Sequence, residues 1–292
     1  MHLGVARTSL AAWLDARKAG GRILLRIEDV DEARVVPGAA EGLVEDLRWL
    51  GLDFDGPITT QSQRYPRYEA AIAQLAAQGR VYPCTCSRRE IALASAPHGP
   101  EDDGPRYPGT CREAAQPKEG RRPALRLRTE PGDRVEFRDV VFGAFAEDVH
   151  QRVGDFVLQR SDGLWAYQLA VSVDDLEQGV TRVVRGSDLL ASTARQSLLR
   201  RLLDPCAPPL ETLHVALVRG ADGARLAKRH GSPTVAERRA RGHSPQSVVG
   251  FLATSLGLIP AGNSSNPQDL LPLWDPSRLS QDDTVLKEAA GG

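Results

Sequence analysis

Apolar side chains recur at helical spacing in five segments of this 292-residue chain. In the first segment, residues 5–19, they share one broad face, and the Gly20-Gly21 pair that follows ends the predicted helix. A second helix is predicted after Pro37, because proline suits the first helical turn and leucines follow at helical spacing. The remaining predicted helices span residues 64–78, 193–203 and 244–256.

Short apolar runs predict β-strands at three other places, residues 22–28, 180–184 and 213–218. Because strands and helices alternate along the chain, the pattern indicates an α/β domain. Residues 124–149 alternate apolar and polar side chains, which predicts further β-structure. Residues 82–122 contain many Pro and Gly residues and lack periodicity, so they are predicted to form a loop-rich insertion.

Composition places the chain among ordinary soluble globular proteins, with 41% hydrophobic and 26% charged residues. The net charge of −1 excludes a globally basic nucleic-acid binder, so any RNA contact must use a local patch. No apolar run is long enough to span a bilayer, and the first residues lack the pattern of a signal peptide. We therefore expect a cytoplasmic protein that does not bind membranes. From Pro260 onward, Pro, Ser and Asn predominate, which predicts a loose tail.

The four cysteines are too few for a disulfide scaffold, but three of them lie in the loop-rich insertion. Cys84 and Cys86 are separated by one residue and can share a metal ion, with Cys111 as a third ligand. Tyr107 and His98 are both candidates for the fourth position. The alternative is a set of three reduced, partly buried thiols. We favour the metal site, because the segment has too little apolar content to fold alone.

Two charged residues follow predicted strands, where open α/β sheets bind ligands. Glu28 could hold an ammonium group, although it could equally belong to a capping and turn cluster before the next helix. Arg185 could clamp a carboxylate, and Tyr167 could line the same pocket. The alternative for Arg185 is a structural ion pair with one of the nearby aspartates.

Two further motifs suit a nucleotide. His2-Leu3-Gly4 precedes the first helix, whose N-terminus offers free N–H groups to phosphate, and glycine allows a close approach. The imidazole can donate to a developing phosphate charge. Lys228 lies in a glycine-bounded basic loop, where it could neutralise charge on a transferring phosphoryl group. The alternative for the first motif is an ordinary helix end with a solvated histidine. The alternative for the second is a solvated surface loop.

Taken together and in this order, the motifs resemble the glutamyl-tRNA synthetases, most closely the family of their short paralogues, the glutamyl-Q tRNA(Asp) synthetases. The resemblance runs from His2 to about Leu258. It is most specific in the Arg26-to-Asp31 run, the cysteine and tyrosine spacing and the segment from Tyr167 to Asp188. The segment after Lys228 is too short for the large anticodon-binding region of a complete glutamyl-tRNA synthetase, which favours the shorter relative.

The resemblance implies a Rossmann-type α/β fold, a doubly wound parallel sheet with an inserted zinc-bearing acceptor-binding region and a short C-terminal helical part. The implied divisions are the first half of the catalytic domain (1–82), the zinc-binding insertion (83–152), the second half with the lysine loop (153–235), and a helical stub with a loose tail (236–292).

The resemblance also implies the function and the site. Glutamate is activated with ATP and Mg²⁺ and is then placed on the queuosine base at the wobble position of tRNA(Asp), by an enzyme expected to be a monomer. The implied residues are Glu28, Tyr167 and Arg185 for glutamate, His2, Gly4 and Lys228 for ATP and catalysis, and Cys84, Cys86, Tyr107 and Cys111 for a structural zinc. At the fourth zinc position the family favours Tyr107 over His98.

Three features depart from the family pattern. Met1 stands just before His2, so we expect the family's leading strand to be absent, together with the Arg and Ser that its Arg-Phe-Ala-Pro-Ser-Pro-like loop supplies to the glutamate site. Val5 replaces a polar residue or His, and Arg225 and Ala227 replace the common Lys and Ser. Two alternative functions follow. One is a truncated glutamyl-tRNA synthetase that charges a tRNA 3′ end, and the other is a non-catalytic zinc- or tRNA-binding protein.

Overall fold

The computed structural model describes residues 1–94, 106–114, 118, 120–220 and 234–285. Within these residues the α-helices are α1 (Leu3–Lys18), α2 (Ala39–Trp49), α3 (Tyr65–Ala77), α4 (Arg88–Ala94), α5 (Val149–Arg152), α6 (Tyr167–Glu177), α7 (Thr193–Leu203), α8 (Val235–Ala240), α9 (Pro245–Ser255) and α10 (Pro267–Leu270). The strands are β1 (Arg26–Ile27), β2 (Thr59–Thr60), β3 (Val81–Cys84), β4 (Ala124–Leu127), β5 (Arg134–Asp139), β6 (Gly143–Asp148), β7 (Val157–Gln159), β8 (Arg182–Gly186), β9 (Glu211–Val215), β10 (Val218–Arg219) and β11 (Thr284–Val285).

The five helices predicted from periodicity are confirmed as α1, α2, α3, α7 and α9. A local signal marks where α9 begins. The Ser244 hydroxyl accepts a hydrogen bond from the Ser247 backbone N–H at 3.2 Å, and proline follows as the first residue of α9. Four of these helices have buried faces that pack against strands or against one another, so periodicity and tertiary packing agree.

The sheets make the fold a mixed α/β structure that contains parallel strands. The largest sheet has the order β6-β5-β9-β8, in which β8 and β5 both run parallel to β9. Strands β1 and β2 form a separate parallel pair, and β3, β4 and β7 form an antiparallel sheet. The predicted strand at 22–28 is shorter than expected, because only Arg26 and Ile27 pair in register with β2.

A groove of about 770 Å³ lies between the β1 side of the structure and β8. Side chains of α1 contribute to its wall, and residues 21–26 and 180–184 line its two sides. Glu28 and Asp175 also line this groove. None of the strands within the described residues bridges β1 and β8.

The hairpin of β5 and β6 belongs to the main sheet, although the sequence-based division places it in the insertion. Asp139 of β5 is paired with Thr212 of β9, and the rings of Phe137 and Phe145 stack across the hairpin at 5.0 Å. Pairing between segments about 70 residues apart depends on tertiary structure, so alternation alone could not assign the hairpin to a sheet.

The stretch after Pro260 is not loose over its described part, which extends to residue 285. Leu270 and Trp274 are buried in the same apolar core as α1 and α9. The Trp274 indole donates a hydrogen bond to Asp15 Oδ1 at 3.2 Å, and Lys18 Nζ donates to the Trp274 carbonyl at 2.6 Å. The expectation of a loose tail was wrong here, because a few widely spaced apolar residues can anchor a polar segment once a helix face is available.

Among the residues that the structure describes, no helix combines the length and apolar character that crossing a bilayer requires.

Candidate active site and metal centre

Arg185 lies near the carboxyl end of β8 and is paired in register with His214 of β9. Its guanidinium donates hydrogen bonds from Nε to His214 Nε2 at 2.9 Å, from Nη1 to Gln196 Oε1 at 2.6 Å and from Nη2 to Thr193 Oγ1 at 2.9 Å. All three acceptors are uncharged, since an imidazole nitrogen that accepts a hydrogen bond carries no proton. The guanidinium is therefore oriented without being neutralised by these partners.

Tyr167 is the first residue of α6 and lies beside Arg185. The Arg185 guanidinium and the charge of Glu28 both act on its phenol. Burial raises the pKa of Tyr167, Glu28 raises it further, and Arg185 opposes the rise. The phenol therefore stays protonated at physiological pH and can act as a hydrogen-bond donor. The structure thus brings together the three residues that the sequence predicts for glutamate.

Glu28 follows β1 directly, at the carboxyl end of that strand. Its side chain is 39% exposed, yet it lies in a concave site with protein on several sides. Burial raises the pKa of the Glu28 carboxyl, Arg26 opposes the rise and Asp175 adds to it. Arg26 Nη2 lies 2.9 Å from Asp175 Oδ1 but 3.4 Å from Glu28 Oε1. Because Arg26 pairs more closely with Asp175, Glu28 is left weakly paired and open to an added cation.

The two aspartates of α6 pair with arginines other than Arg185. Asp175 pairs with Arg26. Asp174 is fully buried and accepts hydrogen bonds at 2.5–2.9 Å from Arg64, Gln61 and Tyr68. Asp174 and Asp175 are therefore not salt-bridge partners of Arg185, although the charge of Arg185 acts on Asp175.

His2 caps the N-terminus of α1. Its Nδ1 accepts a hydrogen bond from the Val5 backbone N–H at 3.3 Å, so the neutral ring carries its proton on Nε2. Gly4 allows this arrangement, because a Cβ added there would lie 3.2 Å from His2 Nδ1. The histidine is thus part of the helix end rather than a merely solvated side chain.

Lys228 lies outside the described residues, as do Arg225 and Ala227. After this segment, Thr234 forms a β-bridge with His2, and the Val235 N–H donates to the Met1 carbonyl at 2.9 Å. The chain that follows the lysine loop therefore lies directly beside the N-terminal end of α1.

A cluster of three thiols and a phenol lies at the end of β3. Sulfur atoms of Cys84, Cys86 and Cys111 are all within 4.8 Å of one another. Cys86 Sγ is 3.5 Å from Cys111 Sγ, and Tyr107 Oη is 3.4 Å from Cys84 Sγ and 3.6 Å from Cys86 Sγ. Tetrahedral ligands about 2.3 Å from one zinc ion are themselves about 3.8 Å apart, so these spacings fit a single metal ion. His98 lies outside the described residues.

The thiols differ in their ease of ionisation. Burial raises the pKa of Cys86 to about 11. Burial acts in the same direction on Cys111, but hydrogen bonds from Tyr107 and the Thr85 backbone outweigh it and lower the pKa to about 7. Burial and the neighbouring Cys84 thiol raise the pKa of Tyr107. A bound divalent cation would favour the ionised form of all these ligands.

Sequence reasoning missed the residues that hold Arg185. Gln196 and Thr193 were recognised only as part of a helix, and His214 only as part of a strand. His214 interrupts an otherwise apolar run, between Leu213 and Val215, and this is a usable signal, because a buried histidine needs partners for both ring nitrogens.

Residues 1–265 match the family model described as tRNA synthetases class I (E and Q), catalytic domain. The chain therefore belongs to the class I tRNA synthetases. A glutamyl-Q tRNA(Asp) synthetase of Symbiobacterium thermophilum is 48% identical over 97% of this chain and 91% of the relative. Another, from Nocardia farcinica, is 48% identical over 99% of this chain and 90% of the relative. Within its class, the chain belongs to the glutamyl-Q tRNA(Asp) synthetase family.

Solved structures of longer proteins share the fold. A glutamate tRNA ligase from Elizabethkingia meningosepticum, in complex with its amino acid, aligns with a TM-score of 0.80 and 26% identity. A glutamate-tRNA synthetase from Elizabethkingia anophelis aligns with a TM-score of 0.80 and 25% identity. Both alignments cover 98% of this chain, which spans only 64% and 66% of the two solved chains.

Proposed function

We propose that this chain activates glutamate with ATP to form glutamyl-adenylate and then transfers the glutamyl group to the queuosine base at the wobble position of tRNA(Asp). The observation that carries the proposal is the meeting of Glu28, Tyr167 and Arg185 near the carboxyl ends of β1 and β8. The relatives named for glutamyl-Q tRNA(Asp) support the acceptor, and the solved glutamate tRNA ligase with its amino acid supports the substrate.

The pocket offers one group for each charge of glutamate. Arg185 pairs with a carboxylate, because its guanidinium is held by uncharged acceptors. Glu28 accepts the ammonium group, since its carboxylate is only weakly paired with Arg26. Tyr167 donates a hydrogen bond from its protonated phenol. All three residues belong to one chain, which is consistent with a monomeric enzyme.

The nucleotide is placed at the N-terminus of α1. Backbone N–H groups of the first turn and the positive end of the helix dipole face the phosphates, with Gly4 allowing a close approach. His2 supplies an N–H from the same end of the helix, and Lys228 neutralises charge on the phosphates. Mg²⁺ bound to ATP supplies additional charge neutralisation.

The reaction needs no nucleophile from the protein. A carboxylate oxygen of glutamate attacks the α-phosphorus of ATP in line, and the bond to pyrophosphate breaks. A hydroxyl oxygen of the queuosine base then attacks the adenylate carbonyl, the bond to AMP breaks and the hydroxyl proton is lost. Glu28, Tyr167 and Arg185 contribute by orienting glutamate, and the N-terminal end of α1 contributes by stabilising charge on the phosphates.

Zinc is proposed for the Cys84, Cys86, Tyr107 and Cys111 cluster, because the spacings fit a tetrahedral ion. Its contribution is structural: it would connect the end of β3 to the segment at 107–111. Zinc takes no part in either chemical step.

We also propose a doubly wound Rossmann-type domain with a zinc-bearing insertion and a short C-terminal helical part. Residues 1–82 and 153–235 form its two halves, and residues 236–292 form the C-terminal part. The insertion at 83–152 is the division that needs adjustment, because β5 pairs with β9 and so joins the hairpin to the main sheet.

The test is glutamate-dependent exchange of pyrophosphate into ATP, followed by transfer of labelled glutamate to RNA. We expect exchange without any tRNA, and transfer to tRNA(Asp) that carries queuosine but not to unmodified tRNA(Asp). Exchange that requires tRNA(Glu), with label at the 3′ end, would replace the proposal by a truncated glutamyl-tRNA synthetase. No exchange under any condition, with zinc retained, would leave a non-catalytic binding protein.

A further inference from the structure

The hydrogen bonds around Arg185 determine which nitrogen of His214 carries a proton. Arginine stays charged in proteins, so its Nε always donates, and His214 Nε2 at 2.9 Å must accept. The neutral ring therefore has its proton on Nδ1. That nitrogen lies 2.7 Å from Asp139 Oδ2 and donates to it.

Asp139 is itself held in place from both sides. Its Oδ2 also accepts the His214 backbone N–H at 3.0 Å, and its Oδ1 accepts the backbone N–H groups of Val141 and Phe142 at 3.0 and 2.9 Å. The side chains of Asp139 and His214 are both completely inaccessible to solvent. A carboxylate that accepts hydrogen bonds from four donors in a site without solvent has one orientation. The imidazole that donates to it is therefore also fixed in orientation.

We propose that Asp139 and His214 are positioning residues for the substrate carboxylate, acting through Arg185. Asp139 orients the His214 ring, and His214 Nε2 orients the guanidinium through its Nε. This inference rests on the proposed function, in which Arg185 binds a carboxylate of glutamate.

The arrangement orients Arg185 without weakening its attraction for an anion. A carboxylate in direct contact would neutralise the guanidinium, whereas here a neutral ring separates the charge of Asp139 from that of Arg185. Burial lowers the pKa of His214, with Arg185 acting in the same direction and Asp139 and Asp188 opposing. Burial raises the pKa of Asp139, but the hydrogen bonds from His214 and Phe142 outweigh it and lower the pKa. Both trends maintain a neutral imidazole beside an ionised carboxylate.

Two substitutions of His214 separate the two contacts. The amide of Asn in H214N takes the place of Nδ1 and can still donate to Asp139, but it offers Arg185 no acceptor. The amide oxygen of Gln in H214Q reaches the place of Nε2 and can accept from Arg185. Exposed His243 provides the matched control, H243N.

The measurement is glutamate-dependent pyrophosphate exchange, begun with the unmodified protein. For H214N we expect the KM for glutamate to rise about tenfold, while the KM for ATP changes less than about twofold. H214Q should restore the KM for glutamate to within about threefold, and H243N should leave it unchanged. Absence of exchange in the unmodified protein would contradict the proposed function. If the unmodified protein is active and folded H214N has an unaltered KM for glutamate, the positioning role is overturned while the proposed function stands.

Nitrogen NMR of the ring provides a test that does not require a folded H214N variant. We expect His214 of the unmodified protein to show a protonated Nδ1 and an unprotonated Nε2. The signal is assigned by its loss in H214Q or by correlation to the backbone, because His150 Nδ1 also lies near an acceptor, the Thr129 carbonyl at 3.1 Å. A ring with its proton on Nε2, or with both nitrogens protonated at neutral pH, would overturn the proposal.

Discussion

At the scale of single residues, the proposed glutamate pocket contains charged side chains that are not fully paired with one another. Arg26 and Arg64 form ion pairs with the two aspartates of α6. Neither Glu28 nor Arg185 is therefore fully neutralised. A charged side chain that is oriented but incompletely paired is suited to a ligand of the opposite charge. The sequence predicted Glu28 and Arg185 as ligands, but it could not show which arginine would pair with which carboxylate.

Replacement of Glu28 by Gln tests the ammonium site. We expect E28Q to raise the KM for glutamate by about tenfold to a hundredfold, because the amide carries no charge to pair with the ammonium group. The KM for ATP and the melting temperature should change little. Glu69 is exposed on α3, and E69Q serves as the matched control. An equal loss in E28Q and E69Q would contradict this assignment.

The affinity for glutamate should also depend on pH through Glu28. Burial raises the pKa of this carboxyl, Arg26 opposes the rise, and Asp175 and Asp174 add to it. Since only the ionised form pairs with an ammonium group, the KM for glutamate should increase as the pH falls through this raised pKa. The increase should begin at a higher pH than the ordinary glutamate pKa of about 4.3 would give. The KM for glutamate of E28Q, measured across the same pH range, should lack this increase. If E28Q shows the same pH dependence as the unmodified protein, the increase arises from a different group.

At the scale of secondary-structure elements, periodicity explains the helices, but pairing explains the sheets. Helix α7 was predicted at its observed bounds from spacing alone. The length of strand β1 was overestimated, because an apolar run becomes a strand only where a neighbouring strand pairs with it. The proposed metal site combines both kinds of information. Its candidate thiol ligands were recognisable by spacing, whereas the convergence of Tyr107 with the thiols is a tertiary feature.

Loss of one thiol should remove the proposed metal. We expect the purified chain to contain about one zinc ion and C86S to contain less than half as much, because three remaining ligands hold zinc weakly. Metal analysis by mass spectrometry checks this, and a chelator should lower the melting temperature of the unmodified protein. Cys206 is exposed and distant in sequence, so C206S should retain its zinc. Equal zinc in both variants would contradict the cluster as the site.

At the scale of the whole molecule, the two largest apolar cores among the described residues stabilise the domain. One surrounds α1 and α9 and includes the segment at 270–279, and the other lies between α3, α6, α7 and the neighbouring strands. The first core therefore joins the two ends of the described chain. This arrangement connects the N-terminal end of α1, where ATP is proposed to bind, to residues more than two hundred positions away.

Removal of the Trp274 ring tests this connection. The side chain is 1% exposed, so W274A should reduce the free energy of unfolding by about 3–5 kcal/mol. Its neighbour Leu273 is 49% exposed, and L273A should cost less than about 1 kcal/mol. Chemical denaturation of both variants makes the comparison. Equal stability of W274A and the unmodified protein would show that the C-terminal segment does not contribute to the core in solution.

The sequence by itself determined the local features of this protein. Helical spacing located α1 and α7, cysteine spacing located the three thiols of the cluster, and the order of motifs indicated the residues proposed for the glutamate pocket. Each helix and each motif consists of residues close together in the chain, so periodicity and spacing record them. Only the tertiary structure decided that His214 stands between Asp139 and Arg185 and that Trp274 packs against α1. Asp139 and His214 are 75 residues apart, and sheet register rather than any local pattern brings them within hydrogen-bonding distance.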